Sequence, residues 1–191
     1  IKIFALYGLL VGIAFFSVYP TMNWFSEYRG ISYKLHFDRE LSIPFVYQTI
    51  WLYLSLYLQF LLPPFLLNCR ELRKLAYVLI ISTLICGLIY LAFPAKLGFE
   101  RTLPEDPLYE QIYRTLFAVA KPYNTAPSLH VVYITTISFY ICNQWKRSIV
   151  TGLFTIWTIA LSASTVLVHQ HHLADVFSAY LLVLAVSKYV E

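Results

Sequence analysis

Six apolar stretches alternate with polar connections along the chain: roughly Ile3–Tyr19, Ile43–Leu62, Leu75–Phe93, Leu129–Cys142, Ile149–Val168 and Leu173–Val190. Most are about 20 residues long, the length an α-helix needs to cross the hydrocarbon core of a bilayer. The fourth is short as it stands, but Pro127 and Ser128 before it suit a helix start, with Ser128 as N-cap. The pattern predicts an all-α, polytopic membrane protein of six transmembrane helices in one bundle. No repeat or low-complexity segment interrupts it, and no soluble domain fits in what remains. Residues 1–191 therefore read as a single six-span domain. The start at Ile1, without an initiator Met, leaves room for residues or a domain upstream. The first apolar run has no small-residue cleavage site, so it reads as a span and not a signal peptide.

Composition strengthens the membrane assignment. The chain is 59% hydrophobic and 13% charged, where soluble domains carry roughly 25% charged residues. Its mean hydropathy is +0.65. The net charge of +4 is spread out, with no basic run, which argues against nucleic-acid binding. Cys69, Cys86 and Cys142 show no paired spacing, so they form neither a disulfide framework nor a zinc knuckle.

Charge in the short connections orients the bundle. "NCRELRK" and "NQWKR" place Arg70, Arg73, Lys74, Lys146 and Arg147 beside span ends, with Lys2 and Lys188 at the termini. By the positive-inside rule this is the cytoplasmic side. Two longer loops, about Pro20–Ser42 and Pro94–Pro127, face the other way. Within the second, "LYEQIYRTLFAVA" (Leu108–Ala120) has helical apolar spacing and reads as an amphipathic helix, lying in the interface or packed on the bundle.

The candidate chemistry lies at two span mouths. "NTAPSLHVVY" (Asn124–Tyr133) brings His130 to the start of the fourth span, and "STVLVHQHHLADVF" (Ser164–Phe177) holds His169, His171, His172 and Asp175 between the fifth and sixth. His171 and Asp175 are spaced i,i+4, so on a helix they share a face about 6 Å apart. A carboxylate there can accept the imidazole Nδ1 proton and free Nε2 as nucleophile or base. An acid near lipid costs about 2.5–3.5 kcal/mol on insertion scales, which favours a functional role over simple helix capping. With alternating crossings both places open on the side opposite the basic loops. The exit of the third span, Tyr90–Arg101, opens there too.

Two imidazoles, a carboxylate and nearby cations suit phosphoryl transfer. One imidazole attacks phosphorus while cations hold the equatorial oxygens, and a second protonates the leaving group and later activates water. The backbone amides at the helix start after Asn124–Ser128 add an anion cradle.

"KPYNTAPSLHV" (Lys121–Val131), with Ser164, Thr165, Gln170, His171 and Asp175, resembles the type 2 phosphatidic acid phosphatase superfamily. The likeness is greatest to its inositol phosphorylceramide synthase-like branch. The resemblance covers about Tyr90 to Asp175. It implies a six-span bundle, whose active site span parity and loop charge put on the periplasmic, extracellular or lumenal side. It also implies His171 as nucleophile, Asp175 as its orienter and His130 as acid and base. The family's first motif, K-x6-R-P, is absent: Cys86 and Phe93 stand where Lys and Arg would precede Pro94, and Thr165 replaces the Arg of the third motif. Phosphate contacts are therefore expected from Lys121, Arg101, Ser128, Lys96 and His169.

The expectation is an integral, multi-pass lipid phosphate phosphatase that needs no metal or other cofactor. Its substrate would be a phospholipid, isoprenoid or sphingolipid phosphate. Head-group transfer to an alcohol on the same histidines is the first alternative. A transporter or assembly protein is the second, although such a path would place its polar residues at mid-span. Zinc-assisted hydrolysis is disfavoured because His169 and His171, at i,i+2, point apart on a helix. Aromatics near span ends (Tyr19, Trp24, Trp51, Tyr140, Trp145 and Tyr189) read as interface anchors.

Overall fold

A computed structural model describes residues 2–190, with side chains from Phe4 onward, and they fold almost entirely into helices. Ile1 and the side chain of Lys2, counted above among the basic flanks, lie outside the described residues. Among the described residues there is no strand, only two isolated bridges, Tyr33–Ala95 and Lys96–Tyr123.

Four helices are long and apolar enough to cross a membrane: Phe4–Arg29, Cys69–Ala92, Ser148–Leu167 and Leu173–Val190. They belong to α1 (Lys2–Arg29), α5 (Cys69–Ala92), α8 (Ser148–Leu167) and α9 (Leu173–Val190). Helix α7 (Leu129–Trp145) has 17 residues. The expected stretch Ile43–Leu62 is broken. A 3-10 turn at Tyr47–Thr49 leads into α2 (Ile50–Leu54), α3 (Leu56–Leu61) and α4 (Pro63–Leu66). Ser55 sits at the first break, with its hydroxyl on the Leu52 carbonyl at 2.6 Å. That local bond offers the backbone an alternative to continuing the helix.

α1 runs ten residues past the expected end at Tyr19, through Pro20, so part of the predicted long loop is helical. Gly87 explains the close contact of α1 with α5: a Cβ there would meet Val18 Cγ1 at 2.6 Å. The amphipathic segment forms α6 (Pro107–Val119), N-capped by Asp106, which accepts from Leu108 N at 2.9 Å.

The main core lies among α1, α5, α7, α8 and α9, with Val78, Tyr90, Val131, Ile134, Ile137 and Leu161 at 1% exposure or less. Tyr140, expected as an interface anchor, is buried there as well. Hydroxyl and amide groups stitch the helices inside the bundle. Gln59 Nε2 donates to Ser138 Oγ at 3.2 Å, and Ser138 pairs with Thr158 at 2.7 Å. Thr83 pairs with Tyr133, and Ser162 with Tyr180, each at 2.7 Å. With no hydrophobic drive between helices in lipid, such bonds and close packing hold them together.

Candidate active site

Both histidine segments are fixed by backbone bonds that the sequence spacing makes possible. The Thr165 carbonyl at the end of α8 accepts from Gln170 N at 3.0 Å and from His171 N at 3.1 Å. His169 takes φ 55°, a left-handed conformation that His tolerates better than most residues, and so turns the chain back. Asp175, third residue of α9, reaches back to His172 N at 2.8 Å, which is half of a capping box. Across the site, Ser128 caps α7 by accepting from Val131 N at 3.4 Å. Asn124, φ 58°, accepts from Ser26 Oγ at 3.0 Å, and Tyr90 donates its hydroxyl to the Pro127 carbonyl at 2.5 Å.

His130, His171 and Asp175 come together at one end of the bundle. His171 Nδ1 faces two acceptors, the Thr125 carbonyl at 3.0 Å and Asp175 Oδ2 at 3.3 Å. A nitrogen between two acceptors carries the proton, so neutral His171 keeps its lone pair on Nε2. Nε2 lies 3.3 Å from His130 Nδ1, and His130 Nε2 lies 2.6 Å from the Tyr53 hydroxyl. Asp175 is fully buried and His171 is 7% exposed.

The residues expected to hold phosphate are engaged with other groups. Ser128 is buried at the mouth of α7. Lys96 is exposed and lies over the Tyr123 ring at 5.9 Å. Lys121 pairs with Glu27 at 3.6 Å. The Arg101 guanidinium donates to the Phe117 carbonyl at 3.1 Å and to that of Ala120, and so caps the end of α6. His169 Nε2 donates to the Ile43 carbonyl at 3.0 Å. Among the described residues no three His, Cys, Asp or Glu side chains are grouped to hold a metal ion.

A second cluster, which the sequence did not signal, backs the site. His36, His172, Phe99 and His169 form one stack, with ring centroids 4.2, 4.4 and 3.9 Å apart in that order. His172 Nε2 accepts from Gly98 N at 2.9 Å, which keeps that nitrogen unprotonated. Burial pushes the His172 imidazole below its usual pKa, against the pull of Asp175 and Glu40, and His36 adds to the push. Burial lowers His169 too, offset in part by the Ile43 carbonyl. Glu40, 4% exposed, accepts from Leu173 N at 2.9 Å and Phe37 N at 3.1 Å, and lies 3.4 Å from His172 Nδ1. These contacts join residues 36–43 to the α8–α9 connection and the first residue of α9 at sequence separations near 130, where no local pattern reveals them.

Residues 71–190 match the family model of the PAP2 superfamily. No curated protein and no solved structure matches the chain.

Proposed function

The chain belongs to the PAP2 superfamily, and on that premise we propose that it is an integral-membrane lipid phosphatase working through a phosphohistidine at His171. The observation that carries the reading is the line Asp175–His171–His130. It leaves a lone pair on one imidazole and points a second imidazole at it. His171 Nε2 attacks phosphorus, Asp175 and the Thr125 carbonyl hold the proton on Nδ1, and His130 protonates the leaving oxygen. Water then enters with His130 as base. The reaction is among the slowest in water, so the catalyst must supply roughly 20 kcal/mol or more. Two positioned imidazoles and an electropositive cradle divide that load.

The resting site is closed. Attack needs phosphorus about 3–3.5 Å from Nε2, and the acid must then reach the leaving oxygen at about 2.6–3.2 Å. The two nitrogens must part from 3.3 Å to roughly 6 Å. Each ring is anchored on its outer edge, His171 by Nδ1 and His130 by Nε2, so the inner nitrogens can pivot apart as phosphate enters. In place of the missing first motif, the start of α7 at Ser128 and the side chains of Lys96, Lys121, Arg101 and His169, released from their present partners, supply the anion's surroundings. In this reading α1, the broken 47–66 segment, α5, α7, α8 and α9 make six crossings. The site then opens away from the basic short loops, on the periplasmic, extracellular or lumenal side. The substrate is a phospholipid, isoprenoid or sphingolipid phosphate.

Transfer of the head group to an alcohol is the second reading. It is favoured by Thr165 in place of the family's Arg and by "PYNTAPSLHV", the pattern of the inositol phosphorylceramide synthase-like branch. Phosphate release from a panel of lipid phosphates in detergent, with and without a chelator, tests the first reading. Release that survives chelation supports it. Product formation only when an alcohol acceptor is added would replace it with the second.

A further inference from the structure

The phosphohistidine reading uses His130 Nδ1 as proton carrier, so the other nitrogen, Nε2, needs a partner in both protonation states of the ring. Resting on that reading, we propose that Tyr53 is a positioning residue that supplies it. Its hydroxyl pairs with Nε2 and so leaves Nδ1 of His130 as the nitrogen that trades protons with the reacting groups.

Tyr53, on α2, is 3% exposed and ends 2.6 Å from His130 Nε2, with the ring centroids 4.7 Å apart. The proton positions follow from one end of the line to the other. His171 Nδ1 sits between two acceptors and keeps its proton, so His171 Nε2 is a lone pair. Among the described residues the group facing that lone pair is His130 Nδ1, at 3.3 Å, which must therefore carry a proton when His130 is neutral. His130 Nε2 is then an acceptor, and Tyr53 donates to it. A phenol suits the place because it also accepts. When His130 is an imidazolium, the Tyr53 hydroxyl rotates and takes the Nε2 proton as acceptor.

The cycle balances with Tyr53 keeping its own proton throughout. Imidazolium His130 gives its Nδ1 proton to the leaving oxygen as the P–O bond breaks and the P–Nε2 bond to His171 forms. His130 is left neutral, with Nε2–H donating to Tyr53. Water then bonds phosphorus and passes a proton to the free Nδ1 of His130. The P–Nε2 bond breaks, and its electron pair returns to His171. Without the hydroxyl, neither protonation state of His130 has a partner for Nε2 among the described residues.

The test is made on the whole chain in detergent. Nitrogen-15 spectra of histidine-labelled protein at mildly alkaline pH, with the His130 signals assigned by loss in His130→Ala, read the tautomer directly. Wild type should show His130 protonated on Nδ1 with a hydrogen-bonded Nε2, and Tyr53→Phe should move the Nε2 signal toward that of a nitrogen without a hydrogen bond. With phosphatidate as probe, Tyr53→Phe should lower kcat at least tenfold, toward the roughly 10²–10⁴-fold that general acid–base catalysis contributes. KM should stay within about twofold, and the limb of the pH profile that belongs to His130 should move. Wild type with the proton on Nε2 overturns the proposal even if the variant fails to fold. So does a folded Tyr53→Phe with a wild-type Nε2 signal and kcat. Wild type that releases no phosphate sinks the phosphatase reading instead, since the tautomer is read on resting protein.

Discussion

The backbone N–H of Ser128 donates to the carbonyl of Asp175 at 3.1 Å. This one bond ties the start of α7, which carries His130, to the first turn of α9, which carries the partner of His171. The two halves of the site lie some forty residues apart in sequence and are locked at their backbones, before any side chain is considered.

His171→Ala and His130→Ala should each abolish phosphate release while the protein remains folded by circular dichroism and size-exclusion profile. Asp175→Asn removes the charge that steadies the Nδ1 proton but leaves the Thr125 carbonyl in place. It should cost two or more orders of magnitude and leave a trace of activity. Normal turnover by His171→Ala would remove the nucleophile from this account.

Gly98→Ala should destabilise the fold. A Cβ there would lie 2.1 Å from the His36 ring, so the imidazole stacked on His172 must move. Overpacking of this kind costs about 1–3 kcal/mol. Thermal unfolding in detergent measures it, and an unchanged midpoint would mean that His36 leaves its place freely.

Glu40→Ala strips the acceptor from Leu173 N and Phe37 N. Unsatisfied buried donors cost about 1–3 kcal/mol, so the midpoint should fall, and Glu40→Gln should recover part of the loss because one oxygen remains. Proteolysis within residues 30–46 should speed up in the alanine variant if these bonds hold the segment down.

Stability should fall as pH drops below the unfolded histidine value of about 6.5. His172 and His169 have depressed pKa values in the folded state, so below that point the unfolded chain binds protons that the folded chain does not. Their contribution is fully present above the unfolded pKa and lost as pH falls through the folded ones. Glu40 and Asp175 face His172 and temper the effect, His36 adds to it, and the carbonyl of Ile43 tempers it for His169. Unfolding midpoints across pH 5–8 read it, and His172→Phe should flatten the slope. A slope unchanged in that variant would assign the pH dependence elsewhere.

Arg101→Ala separates two roles. Loss of the cap on the Phe117 and Ala120 carbonyls should lower stability and fray the end of α6. A contribution to phosphate binding should instead raise KM. A fall in unfolding midpoint with KM unchanged would confine Arg101 to the cap.

What the sequence made legible were features with a local period or a local cap. The bounds of α9 match the apolar run Leu173–Val190, α6 follows its amphipathic spacing, and Ser128 caps α7 as its place before an apolar run suggests. His130, His171 and Asp175 could be gathered because span parity turns long separations into a side-of-membrane argument. The break at Ser55 was hidden because hydropathy does not register a hydroxyl folding back on the Leu52 carbonyl. Tyr53 and Glu40 were hidden for another reason. Their partners lie 77 and 133 residues away, and a tyrosine in a greasy run looks like any other aromatic.

The Gln59–Ser138–Thr158 bonds set the rotational phase of α7. Ser138 lies eight residues beyond His130, about 12 Å down the helix axis at 1.5 Å per residue. If α7 rotated or slid by one residue, the Gln59 amide and the Thr158 hydroxyl would face hydrocarbon without partners. A sighting mechanism for the imidazole is thus built into the middle of the bundle, and mutations there can misaim a site they never touch.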